Sequence, residues 1–218
     1  MNLFRLDASI RIEGSVSRQL ADVAEAAWLE THPSQPITRR DIGTSPLPAD
    51  VWGVAAFAGW VPEEDRTDAQ RTALSVGAEL ADELIGADAY VFALPLYNFG
   101  VSQHVKTWID LVLTDARFSP GVESPLAGRP ASLIVTRGGG YSEGTPKHGW
   151  DHATPYYRRI LGEQFGLDLH VSEVELTLAD VNPAMESLRP LAKELLEAGT
   201  VKATSHGKIL AERVTVSA

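Results

Sequence analysis

The sequence predicts an α/β fold: an open parallel sheet of five strands with helices on both faces. Strand-like and helix-like apolar periods alternate along the chain, which argues for right-handed crossovers between parallel neighbours. Residues 89–96 and 131–136 are short, continuous apolar runs, as expected of strands covered on both faces. Helix starts are also marked, by the Thr67-Asp-Ala-Gln70 capping box and by proline following Thr154.

Residues 2–8 form the first strand. Leu20, Val23, Ala24, Ala27 and Trp28 fall on one face of the helix that follows, with Ser17 placed to cap it. Residues 36–42 are a short second strand. Residues 43–64, rich in Pro, Gly and aromatics without a sustained period, read as a long excursion. The capping box opens a helix with Ala73, Val76, Leu80 and Leu84 inward, ending near Gly86. The strand 89–96 precedes a helix marked by Val105, Trp108, Ile109 and Val112. Beyond a Pro/Gly-rich loop (118–128), strand 131–136, the helix at Thr154-Pro155 and a fifth strand (169–175) complete the sheet. Asn182-Pro183 opens a last helix with Leu188, Leu191, Leu195 and Leu196 in period. Residues 1–200 are read as one domain. Residues 201–218 are a C-terminal extension of unclear structure, either a frayed end or an arm for a partner.

A formal net charge of −10, without a local Lys/Arg cluster, argues against nucleic-acid binding. No apolar run is long enough for a bilayer, and the start MNLFRLDASI lacks a signal core, so a cytoplasmic protein without a membrane role is expected. The chain has no cysteine, which excludes disulfides and thiolate metal sites, and the spacing of His104, His148, His152 and His170 does not suggest a metal centre.

Ligands of open parallel sheets bind beyond the carboxyl ends of the strands. Three unusual loops lie there. "ASIRIEGSVS" (8–17) offers Ser9, Ser15 and Ser17 before a helix N-terminus, a setting that suits a phosphate and equally an ordinary capped turn. "PLYNFG" (95–100) exposes Tyr97, Asn98 and Phe99 together, where a flat heteroaromatic ring would gain stacking and hydrogen bonds; packing of the aromatics and capping by Asn98 are the plain alternatives. "TRGGGYSEG" (136–144) carries three consecutive glycines, consistent with close backbone approach or with a simple linker.

With these loops the chain resembles the bacterial FMN-dependent NADH:azoreductases and quinone reductases, which have a flavodoxin-like fold with strand order 2-1-3-4-5. The likeness runs over residues 2–198 and rests on "SIRIEGSVS", "PLYNF", "TRGG" and "TPYYRRILGEQFG". It implies that Ser9, Ser15, Val16 and Ser17 hold the FMN phosphate. Leu96, Tyr97, Asn98 and Phe99 would lie along the isoalloxazine and ribityl chain, with Thr136, Arg137, Gly138 and Gly139 at the other ring edge. It also implies a homodimer with active sites at the interface and ping-pong transfer from NADH or NADPH to a quinone or azo acceptor. The flavin carries that redox chemistry, so no catalytic side chain is nominated. Where the family often has a Phe-Arg-Tyr segment, this chain offers Phe118 alone; where some members have histidine after the Arg-Gly-Gly loop, it has Gly140-Tyr141. Phe57, Trp60, Phe118 and Tyr141 are the candidates for an aromatic lid over the substrate, with packing in the core or at a dimer interface the equal alternative. An electron carrier that docks on partner proteins, or a member specialised for one aromatic intermediate, are the rival readings.

Overall fold

The computed structural model describes residues 1–119 and 121–216. Pro120, in the 118–128 loop, and Ser217 and Ala218, at the tip of the extension, lie outside the described residues. Five parallel strands form one sheet in the order β2-β1-β3-β4-β5. They are β1 (Leu3–Asp7), β2 (Ile37–Asp41), β3 (Ala89–Pro95), β4 (Pro130–Thr136) and β5 (Asp168–Val174). The order reverses between β1 and β3, which places a switch point at the carboxyl ends of these two strands.

Side chains alternate across the strands and divide the core between two faces. Phe4, Tyr90 and Phe92 pack with Trp108 on the face covered by α3 (Asp68–Ile85) and α4 (Gln103–Val112). Each such fully buried side chain contributes on the order of 1.5–3 kcal/mol. The opposite face is lined by small residues, Ala89, Val91 and Ala93, and receives α1 (Val16–Thr31) and α6 (Arg189–Val216) through Leu20, Ala24, Trp28, Ala203 and Leu210. Alanines on the sheet and Gly207 on α6 let these layers approach closely: a Cβ on Gly207 would stand 2.2 Å from the Ala24 carbonyl oxygen.

Four sequence expectations need correction. The strict alternation is broken inside the 43–64 excursion by α2 (Val51–Ala58), whose apolar residues show little periodicity because Trp52 and Phe57 face outward while Ala55 and Ala58 are buried. Ser15, rather than Ser17, occupies the N-cap of α1. The helix from Thr154 is α-helical only over α5 (Thr154–Tyr157) and continues as a π-helix through Gln164, marked by the Phe165 amide donating to the Ile160 carbonyl at 2.8 Å. Asn182 caps a 3-10 segment (Pro183–Leu188), and α6 begins only at Arg189. The capping box of α3 is present as expected, with Gln70 N–H donating to Thr67 Oγ1 at 3.2 Å and Thr67 N–H to Gln70 Oε1 at 2.9 Å. The extension, ambiguous by sequence, continues α6 through Val216 across the α1 face.

Candidate functional site

The serine loop leaves the end of β1 at the switch point. Arg18 anchors it from the first turn of α1: its guanidinium donates to the Ser9 carbonyl at 2.7 Å and the Arg11 carbonyl at 3.0 Å, and forks onto Asp41 at 2.7 and 2.8 Å. Burial alone would raise the Asp41 carboxyl, but hydrogen bonds from Arg18 and Thr44 hold it down at about 2. The pair is therefore charged throughout the neutral range. Gly14 takes a φ of +65°, which turns the backbone into α1.

Ser15 makes no side-chain cap, although serine at this position ordinarily does. Its hydroxyl lies instead 3.3 Å from that of Ser17, and both residues are buried. The first amides of α1 have no partner within the helix, and the helix dipole makes this end positive. Hydroxyls and amides thus converge without being consumed by the helix.

The second loop is a tight turn. Tyr97 and Gly100 bridge its ends, and Asn98 and Phe99 have φ values of +48° and +68°. Asparagine tolerates this region, but a bulky phenylalanine is rare there, and such strain collects at functional positions. Ser102 caps α4 through the Val105 amide at 3.3 Å, so Asn98 is free of that task. The turn leaves Phe99 partly exposed and sends Tyr97 across to the serine loop. There the Ile10 amide donates to the Tyr97 hydroxyl at 3.2 Å, and Ser9 Oγ lies 3.4 Å from it.

The third loop is paired along its glycines. Leu176, Thr177 and Leu178 N–H donate to the Gly139, Arg137 and Gly138 carbonyls at 3.2, 3.1 and 3.3 Å. A Cβ on Gly138 would stand 2.6 Å from Leu178 Cδ1, so the two segments approach closely here and a larger residue would have to push the partly exposed Leu178 side chain aside.

One groove joins these loops. Ser9, Ser15, Val16, Ser17, Leu96, Tyr97, Thr136 and Gly138 line it, together with Arg11, Gly14, Pro95, Thr177 and Leu178. Asn98, Phe99 and Gly139 stand just outside it on the rim. Arg137 does not line it: its buried guanidinium is held by Asp151, Glu173 and Glu175 at 2.6, 2.5 and 3.1 Å, and only its backbone faces the loop pairing. Thr177 and Leu178 carried no signal in the sequence, because the turn that presents them depends on Leu176 at a φ of +60°.

The four lid candidates are scattered. Tyr141 stands on the rim, 6.4 Å from Phe99 between ring centroids. Phe118 is buried against Phe165 at 5.1 Å, on the turn after α4, which lies toward the opposite edge of the sheet. Phe57 and Trp60 are 65% and 85% exposed and lie with α2 against the far end of α4. Phe118 drew attention because it falls where the resemblance places a Phe-Arg-Tyr segment; its side chain belongs to the core.

The donor set fits FMN. Buried hydroxyls and helix-start amides suit its phosphate, and the strained aromatic turn facing a glycine loop suits its ring system.

A family model described as flavodoxin-like fold matches residues 1–189. The chain is 38% identical over 187 residues to an FMN-dependent NADH:quinone oxidoreductase of a Parafrankia species, covering 84% of this chain and 88% of that protein. It is 34% identical to a Streptomyces coelicolor protein of the same name, over 98% and 96% of the two chains. Among solved structures, an azoreductase from Bacillus anthracis superposes with a TM-score of 0.78 at 24% identity, covering 95% of this chain and 99% of its own, which speaks for the fold. With the strand order, the three-loop groove and relatives matched along nearly their whole length, the chain belongs to the flavodoxin-like family of FMN-dependent NADH:quinone oxidoreductases.

Proposed function

We propose that this protein is an FMN-dependent oxidoreductase that takes electrons from NADH and passes them to a quinone or azo compound. The observation that carries the reading is the convergence of three sequence-distant loops on one groove at the switch point of the sheet. When bound, FMN supplies the two-electron chemistry. The chain's own part is to bind and orient it. Ser9, Ser15, Ser17 and the amides of Val16 and Ser17 hold the phosphate, aided by Arg11, whose guanidinium lies beside Gly14. Leu96, Tyr97, Asn98 and Phe99 flank one edge of the ring, and Thr136 and the backbone from Arg137 to Gly139 flank the other. Amides of Gly138 to Gly140 would offer hydrogen-bond donors to the polar edge of the bound ring.

In this reading donor and acceptor use the same open face in turn, giving ping-pong kinetics, and the protein works as a homodimer in the cytoplasm. The apolar surface of Trp52, Val54, Phe57 and Trp60 supports a second copy, because exposed patches of this kind mark contact sites.

The test is spectroscopic. Purified protein mixed with FMN should retain a yellow chromophore that bleaches with NADH under anaerobic conditions and recovers with a quinone in the absence of any partner protein. Ser17→Ala and Asn98→Ala should each weaken FMN retention. A colourless protein after mixing, or unchanged affinity in both variants, defeats the proposal; bleaching without turnover on a quinone marks an electron carrier instead.

A further inference from the structure

We infer that Lys147, set among Phe99, Tyr141 and Trp150 on the rim of the groove, selects flat aromatic acceptors that carry an anionic substituent. The inference rests on the oxidoreductase reading and deepens it by naming a substrate class.

Lys147 belongs to the loop that follows the glycines. Thr145 N–H donates to the Ser142 carbonyl at 3.1 Å and Trp150 N–H to the Lys147 carbonyl at 3.1 Å, so consecutive turns fold the segment back on itself. The His152 amide donates to the Phe99 carbonyl at 2.9 Å and joins this segment to the strained turn. Lys147 Nζ consequently lies 5.7 Å from the Phe99 ring centroid and 5.6 Å from that of Tyr141. Trp150 meets Phe99 edge-on at 5.3 Å. The ammonium also stands 3.1 Å from where a Cβ of Gly139 would be, which places it over the glycine loop.

Glu175 and Asp151, the acids beside Tyr141, are already engaged. Glu175 receives Arg137 and the amides of Tyr141 and Ser142; Asp151 receives Arg137, Ala153 N–H and both donors of Thr154. Among the described residues Lys147 forms no ion pair, and its contacts are with π faces. Cation–π contact replaces only part of the water that a half-buried ammonium gives up. A carboxylate, sulfonate or phenolate on a ring stacked at this rim would complete the set. The protein's net charge of −10 repels anions at long range, so preference for an anionic ring must come from a cation in direct contact, inside the Debye length of about 8 Å.

The experiment uses the FMN-loaded protein without NADH. It is titrated calorimetrically with 9,10-anthraquinone-2-carboxylate and with the nearly isosteric, uncharged 2-carboxamide. We expect the carboxylate to bind about three- to tenfold more tightly, as for a partly exposed ion pair, with the advantage shrinking as salt rises. Lys147→Met should abolish the preference while leaving carboxamide affinity and FMN content unchanged, and Lys147→Arg should retain it. Equal affinities in the wild type, or a preference that survives Lys147→Met, overturn the inference and leave the oxidoreductase reading standing. A raised KM for NADH in Lys147→Met with the preference intact also overturns it, assigning the cation to the donor. Failure of an FMN-loaded, NADH-bleachable protein to bind either quinone overturns the acceptor reading itself, and the inference with it.

Discussion

Arg137 and Glu175 form a buried ion pair at 3.1 Å, and the other carboxylate oxygen of Glu175 accepts the amides of Tyr141 and Ser142 at 2.9 and 3.3 Å. One acid therefore ties the end of β5 to both ends of the glycine turn. Glu175→Ala should cost about 1–3 kcal/mol, since two amides lose their acceptor while Arg137 keeps Asp151 and Glu173. Thermal unfolding should show a lowered Tm, and FMN affinity should fall with it. Glu175→Gln, which still accepts the amides, should lie between the variant and the wild type in both measurements.

Tyr97→Phe removes the acceptor of the Ile10 amide without disturbing the ring. Because the bond lies at the surface of the groove, stability should change little. The serine loop loses its tether to the aromatic turn, however, and the FMN dissociation constant should rise about three- to tenfold, the equivalent of one hydrogen bond of about 1 kcal/mol. Fluorescence titration of the apoprotein with FMN provides the check.

Glycine substitutions on two helices should act in opposite directions. Gly207→Ala drives a methyl to within 2.2 Å of the Ala24 carbonyl and should destabilise by about 1–3 kcal/mol through separation of α6 from α1. Gly53→Ala, in α2 with nothing within 4 Å of the new Cβ, should stabilise by about 0.5–1 kcal/mol through helix propensity. Paired chemical denaturation curves would show the two midpoints moving apart.

His206 gives the fold a pH dependence of determinate sign. Burial of this α6 side chain against β4, with repulsion from His170 and Lys202, lowers its pKa to about 4, and its Nδ1 lies 3.1 Å from Ser132 Oγ. In the unfolded chain the ring protonates near 6.5. Above that value it is neutral in both states and contributes nothing to the slope. Between about 6.5 and 4 the unfolded chain binds the extra proton, so stability should fall as pH falls, levelling off below 4. His206→Gln should flatten this part of the curve, measured by denaturant midpoints at stepped pH.

The central strands β3 and β4 were legible because burial on both faces writes them as nearly continuous apolar runs, and α3 was legible because its cap is local chemistry between Thr67 and Gln70. The serine, aromatic and glycine loops could be picked out by residue types that ordinary connectors avoid. What local sequence does not encode is where a side chain ends up after packing. The motif marks Arg137 without saying which of its atoms meets the groove: Asp151, Glu173 and Glu175 hold its guanidinium inward, and only its backbone is left for the loop. Phe118, open by sequence between a lid and core packing, lies in the core against Phe165. The excursion concealed α2 because its inward positions are alanines, too weakly apolar to produce a visible period beside Trp52 and Phe57.

The close seating of α6 on α1 has a consequence for biosynthesis. Leu20, Ala24 and Trp28 are made early, but the helix that shields them is encoded more than 150 residues later. A nascent chain therefore carries an uncovered oily surface through most of its synthesis, and chaperones that bind such surfaces have their longest opportunity on the α1 side of the sheet.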